Sequence, residues 1–229
     1  MRYVRGDCVE FIVERKDTTS QQAWGRFRAK KPLPACIPLM LGDCLQSTHS
    51  CLDYLVRQLV MVGKGKPSTK HAFPIAEHVN QFNEFIRRRT LDGVPVEAIA
   101  IIESLQPYNQ PGNPHDSGLW ILKTLTNTHK HRDILLTVLG ACHAPEDADV
   151  FERNGDRYTM APIGPINLDA EFGPFPIVEG VVVKMNRNFA LDIVFEQEPF
   201  RGKRMQVAVT GACLCVRNEV LPLFEKFFC

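Results

Sequence analysis

One stretch of this chain leaves little freedom in how it folds. Over residues 39–62, Leu41, Leu45, Thr48, Leu52, Leu55 and Leu59 recur at a 4-3-4-3-4 spacing. That spacing keeps an apolar stripe on one face of an α-helix for about five turns. Asp43, Gln46, Ser50, Asp53 and Arg57 follow the same spacing on the reverse side. Such a helix must be covered along its length, so the chain has to supply further helices to cover it. Gly63-Lys64-Gly65-Lys66-Pro67 then provides the breakers that end it.

The covering helices are expected at 77–89, with Val79, Phe82, Phe85 and Ile86 inward, and at 95–105, with Val96, Ile99, Ile102 and Leu105 inward. A loop over 106–117 with three prolines precedes a longer helix, 118–139. Its stripe is Ile121, Leu125, Thr128, Leu135 and Leu139, and Asp116 or Ser117 is placed to cap it. Both ends of the chain read as β. Val9, Phe11 and Val13 alternate with Glu10, Ile12 and Glu14, a polar turn follows over 16–20, and alternation resumes over 24–30. Asn154-Gly155-Asp156 is a hairpin turn. Strands are expected over 181–185 and 189–195, flanking a turn at Asn186-Arg187-Asn188, and at Met205, Val207 and Val209. A last helix over 212–228 places Val216, Val220, Phe224, Phe227 and Phe228 on its apolar side.

The fold class is therefore α+β: an antiparallel helical bundle core, an N-terminal β-hairpin, and a C-terminal antiparallel β segment closed by a helix. The expected division is 1–36 for the hairpin, 37–140 for the bundle, and 141–229 for the β-rich segment with its terminal helix.

At 229 residues the chain is long enough to bury a core without a disulfide or metal staple. Its 45% hydrophobic and 23% charged residues exclude a disordered or fibrous chain. A formal net charge of +1 gives no whole-protein attraction to nucleic acid or anionic membrane. No apolar run reads as approaching the roughly 20 residues of a membrane span, and the opening residues lack the apolar core of a signal peptide. The eight cysteines show one close pair, Cys213-x-Cys215, and no second pair with zinc-site spacing. Buried, reduced thiols, no metal, no cofactor, no membrane association and a cytoplasmic location are the expectations.

The densest polar run on any expected helix is Thr126-Asn127-Thr128-His129-Lys130-His131-Arg132-Asp133. Asn127, Lys130 and His131 stand at i, i+3 and i+4 and share a face, while His129 and Arg132 share another. Histidine moves protons near neutrality, and lysine and arginine hold phosphate through charge-assisted hydrogen bonds. Two readings follow. In the first, preferred one, the run is a structural seam, paired across the bundle with Asp43, Ser50 and Asp53. In the second it is a phosphate or RNA site, with His131 and Asn127 as catalytic groups and Lys130, Arg132 and His129 binding phosphate.

Other motifs carry less. Asp43 and Asp53 are separated by about 15 Å of helix, too far for a glycosidase pair. There is no GxGxxG or P-loop. Arg87-Arg88-Arg89 and Lys64-x-Lys66 read as solvated helix ends, and Cys51 as a core thiol. His71, His78, His115 and His143 read as isolated residues on surface loops or helix ends.

Gly42-Asp43-x-Leu45-x4-Ser50-x-Leu52-Asp53-Tyr54-Leu55, Leu105-Gln106-Pro107-Tyr108 and Leu119-Trp120-x-Leu122-x2-Leu125-x-Asn127-x2-Lys130-His131-Arg132 resemble a widespread group of uncharacterised bacterial proteins. The resemblance covers about residues 37–140 and implies no particular activity. The helical part is similar in turn to HEPN domains, helical bundles, often dimeric, that include metal-independent ribonucleases. Those enzymes carry an arginine, a polar residue, three spacers and a histidine on one helix. Here Asn127 and His131 stand at the polar and histidine positions, and Thr126 stands where the arginine would be. The HEPN resemblance implies a homodimer and an RNA ligand; the departure at Thr126 removes the cation that would stabilise phosphorane charge. A non-catalytic binding or interaction protein is thus the leading expectation, and a metal-independent ribonuclease or RNA-binding protein the alternative.

Overall fold

The structure, a computed structural model, describes residues 9–17, 19, 22–29, 33–131, 134, 136–141, 150–153, 156–159, 171–176, 182–183 and 190–228. Helices dominate the described residues. The chain divides into two units, 1–34 with 136–204, and 35–135 with 205–229. Each is discontinuous in sequence. The division therefore differs from the expected 1–36, 37–140 and 141–229: the terminal helix groups with the helical unit, and the N-terminal strands with the later ones.

In the first unit β1 (Val9–Asp17) pairs antiparallel with β2 (Gln22–Ala29), in register from Val9 opposite Ala29 to Asp17 opposite Gln22, with an irregularity between Val13 and Arg15. β3 (Leu136–Ala141) comes next, followed by β4 (Val150–Arg153), β5 (Asp156–Thr159) and β6 (Glu171–Pro176). The last two are β7 (Val182–Val183) and β8 (Ala190–Phe195). Three ladders result among the described residues, ordered β1-β2-β6, β3-β8 and β5-β4-β7. Arg153 opposes Asp156; Asn154 and Gly155 of the expected hairpin turn lie outside the described residues. Among the described residues, the expected strands on either side of 186–188 have other partners: β7 pairs with β4 and β8 with β3. Residues 186–188 lie outside the described residues. After β8 the chain doubles back through a turn in which Gly202 takes φ +76° and donates its N–H to the Phe195 carbonyl at 2.9 Å. Positive φ is where glycine pays no steric cost.

In the second unit α1 (Cys36–Val62) buries Leu41, Leu45, Leu52, Leu55 and Leu59, five of the six stripe positions, and adds Gly42, Val56 and Val60. The sixth, Thr48, is half-buried and spends its hydroxyl proton on the Cys44 carbonyl at 2.9 Å. α2 (Val79–Arg87) starts at His78, whose Nδ1 accepts the Gln81 N–H at 3.2 Å. α3 (Val96–Ser104) follows. In these two short helices burial falls on Phe82, Ala98 and Ile102, and the expected inward residues Val79, Ile86 and Val96 are exposed. Three turns cannot present so broad an apolar face to a single neighbour. Single 3₁₀ turns at Pro107–Asn109 and Pro114–Asp116 lead into α4 (Gly118–His131), which packs against α1 and α5 (Met205–Leu214).

Two expectations fail on the identity of an element. The helix does not run to 139: it ends at His131, and Leu136–Ala141 pairs with β8 in register from Leu136 opposite Phe195 to Ala141 opposite Ala190. The run Ile134-Leu135-Leu136-Thr137-Val138-Leu139 is apolar and rich in β-branched residues, a composition that suits a strand better than a helix. Met205, Val207 and Val209 are no strand, since they open α5. Three alternating apolar residues are too few to distinguish the two periods. The period that decides is longer: Ala208, Ala212, Val216, Val220 and Phe224 are all buried at strict four-residue spacing. A regular α-helix drifts by about 40° over each such step. The single π turn at Cys215–Val220 is wider, rotates less per residue, and offsets part of that drift before the closing 3₁₀ stretch Leu221–Phe227. The continuous helical stretch Met205–Phe227, 23 residues at mean hydropathy 1.4 in its most apolar window, is long and apolar enough by composition to cross a membrane. Arg217, Glu219, Glu225 and Lys226 interrupt it, so it is not an unbroken apolar run. In this structure its apolar face lies in the core of the helical unit.

Candidate functional site

Where α1 and α4 meet, part of the expected seam lies together: His129 rests on Gly42, and the charge of Lys130 reaches Asp53. On α1, positions 42, 46, 49 and 53 fall on one face. Gly42 is buried there because the His129 ring of α4 lies directly on it: a Cβ at Gly42 would overlap the ring carbons and nitrogens. His129 is thus a packing residue first, seated in the gap that a missing side chain leaves.

Further along the same face, Asp53 is the best-connected polar group. Its Oδ1 accepts the Phe73 N–H at 2.9 Å, which pins the extended segment 71–76 onto α1. Its Oδ2 lies 3.5 Å from His49 Nδ1, one turn back, a long contact but close enough for charge to matter. Burial pushes the Asp53 pKa up. The contacts with His49 and the Phe73 N–H, with the charge of Lys130 behind them, outweigh burial and hold the carboxyl below its ordinary value. Ser50 accepts a long hydrogen bond, 3.4 Å, from Gln46 Nε2.

The polar run on α4 splits by depth. Thr126 is buried, 1% exposed, and its hydroxyl has no hydrogen-bond partner. Asn127 and Lys130 are exposed, and His129 is half-buried. The His131 side chain and Arg132 lie outside the described residues. Asp43 is exposed, so the carboxylate that joins the seam is Asp53. Lys130 is not sealed between helices; its charge reaches Asp53 from an exposed position.

Sequence reasoning passed over three polar groups. His49 was legible as His-x3-Asp, the spacing that stacks a side chain over the next turn. Gln106 is fully buried, and every polar atom of its amide is used: Oε1 accepts the Ala76 N–H at 2.8 Å, and Nε2 donates to the Ile102 and Pro74 carbonyls at 2.8 and 3.0 Å. Glu77 lies 3.2 Å from Lys123 Nζ and 3.6 Å from His115 Nε2, while the His115 ring stacks on Trp120 with centroids 4.4 Å apart. Burial raises the Glu77 pKa, and Lys123 above all brings it to a net value below the ordinary one. His71, expected on the surface, is buried and accepts the Ser68 N–H at 2.8 Å. His143 lies outside the described residues. Arg87 and Arg88 pair with Glu84 at an exposed helix end, as a solvated charge run does.

Of the described cysteines Cys36, Cys44 and Cys51 are exposed and Cys213 and Cys215 half-buried, all free. The expectation of buried thiols fails for α1, where the leucines take the core face and the cysteines fall beside it. Among the described residues no three His, Cys, Asp or Glu side chains converge to hold a metal ion.

Comparison of the chain with protein-family models, with curated proteins and with solved structures finds no match.

Proposed function

We propose that this chain is a non-catalytic binding protein, in which the helical unit is a bundle held by a polar seam and the outer edge of α4 meets a partner. The observation that carries this reading is the split of the polar run. His129 is committed to Gly42, and Asp53 to Phe73 and His49. Thr126, at the position where a catalytic cation would stand, faces the core. What remains outward is Asn127 and Lys130, which can donate hydrogen bonds to an anionic or polar surface. A cytoplasmic setting belongs to this reading. The test is a cleavage assay of the full chain on varied single-stranded RNAs with chelator present. No cleavage is expected. Cleavage that disappears in Asn127→Ala and in His131→Ala would replace this reading with the ribonuclease one.

The exposure of Asn127 and Lys130 side by side also favours RNA as the ligand, bound without being cut. In that case Lys130→Ala weakens binding of single-stranded RNA in fluorescence anisotropy and lowers the salt slope by about one. Absence of any binding at low salt would dismiss RNA.

A further inference from the structure

Two thiols meet across the helical unit at a place that neither the polar seam nor the proposed binding edge uses. Cys44 on α1 and Cys213 on α5 have their sulfurs 3.9 Å apart, although 169 residues separate them in sequence. Cys44 is exposed and Cys213 half-buried. Thr48, one turn on from Cys44, has its hydroxyl oxygen 3.4 Å from the Cys213 sulfur. Because its proton goes to the Cys44 carbonyl, the Cys213 S–H is the donor in that contact and is thereby oriented between the two helices. A disulfide needs its sulfurs about 2 Å apart. Closing the bond brings the two sulfurs about 2 Å nearer to each other.

We propose that Cys44 and Cys213 form a redox modification site, closing to a disulfide by exchange with a small-molecule disulfide of the glutathione type. The exposed Cys44 thiolate attacks one sulfur of glutathione disulfide and expels one glutathione thiolate, giving a mixed disulfide. The Cys213 thiolate then attacks the Cys44 sulfur and expels the second glutathione. Two protein thiols and one glutathione disulfide become one protein disulfide and two glutathione thiols; two electrons leave the protein, and its two protons end on glutathione. The product ties the terminal helix to α1.

Burial, and then the adjacent Cys213 sulfur, push the Cys44 thiol above its ordinary value. Exchange proceeds one thiolate at a time, Cys44 first and Cys213 second. Cys215, two residues beyond Cys213, is pushed up to about 12 by burial and by Glu219, which keeps it protonated and out of the exchange. Cys36 and Cys51 are exposed on α1 and serve as internal controls.

The experiment equilibrates the folded full-length chain with glutathione disulfide, quenches with acid, alkylates the remaining thiols and maps the peptides by mass spectrometry. A Cys44–Cys213 linked peptide is expected as the principal intramolecular disulfide, reversed by dithiothreitol. The unfolding temperature of the oxidised chain should rise by about 5 °C or more, since the closed loop is long. In Cys213→Ser, Cys44 should stop at the glutathione mixed disulfide. Mixed disulfides at Cys44 or Cys213 in the wild type without a linked peptide would overturn the proposal. So would links scattered among Cys36, Cys51 and the pair.

Discussion

Gly42 shows how much one absent side chain can decide. Its Cα is the floor on which the His129 ring rests, and any Cβ would displace that ring. Gly42→Ala is expected to cost about 1–3 kcal/mol in denaturant unfolding, through overpacking and not through helix propensity, which alanine improves. Adding His129→Ala should recover most of that loss, and additive penalties in the double mutant would show that the two positions do not touch. Asp53 supplies a pH test. Its folded pKa lies below the ordinary carboxylate value, so its ionisation stabilises the fold fully above about pH 4. That contribution is lost as pH falls through the lowered folded pKa. Asp53→Asn keeps an acceptor for the Phe73 N–H while removing the charge. It should melt below wild type at pH 7, and the two curves should converge toward pH 2. The gap should be modest, because the side chain is 35% exposed. A gap that does not narrow with acid would mean that the charge contributes nothing.

Among the elements, the extended segment 71–76 is the piece that ordinary secondary structure leaves unsupported. It has no strand partner among the described residues, and two side chains from distant parts of the chain stand in for one. Asp53 of α1 takes the Phe73 N–H, while Gln106, just past α3, takes the Ala76 N–H and donates to the Pro74 carbonyl. Gln106→Leu keeps similar volume but strands one buried N–H and two carbonyls. A loss of about 3 kcal/mol or more is expected in chemical denaturation, larger than for either arginine of the exposed Glu84 pairs. A change below about 1 kcal/mol would mean that water takes over those bonds. Gln106 could not be found by periodicity, because it lies beyond the last turn of a helix in a sequence that reads as loop.

For the molecule as a whole, the helical unit is finished only by residues from the far end of the chain. Val216, Val220 and Phe224 are at most 3% exposed, and each fully buried side chain of this kind contributes about 1.5–3 kcal/mol. Together they approach the net stability of an ordinary domain, about 5–15 kcal/mol. A chain ending at Arg204 is therefore expected to lose the fixed packing of α1–α4, seen as loss of near-ultraviolet circular dichroism and gain of dye binding. A cooperative melt at the full-length temperature would show the first four helices to be self-sufficient. Phe224→Ala, a milder probe of the same contact, should cost about 3–5 kcal/mol.

Some of this was determined by the sequence alone. The 4-3 leucine spacing sets α1 and its buried face, because a six-position pattern admits one period. The Asn154-Gly155-Asp156 signal falls at the boundary between β4, which ends at Arg153, and β5, which starts at Asp156. The start of the polar run, Thr126 to His131, was placed on α4 for the same reason as α1: its helical spacing is unambiguous. Short apolar runs were not. Residues 134–139 and 205–209 are compatible with either period, and only their partners, β8 for one and the core of the helical unit for the other, choose between strand and helix. The depth of each polar residue belongs to tertiary structure too. Whether Thr126 faces the core, Lys130 faces water, or Cys44 meets Cys213 depends on which helices cross and how closely, and Gly42 lets α1 and α4 approach until a histidine ring fills the space between them.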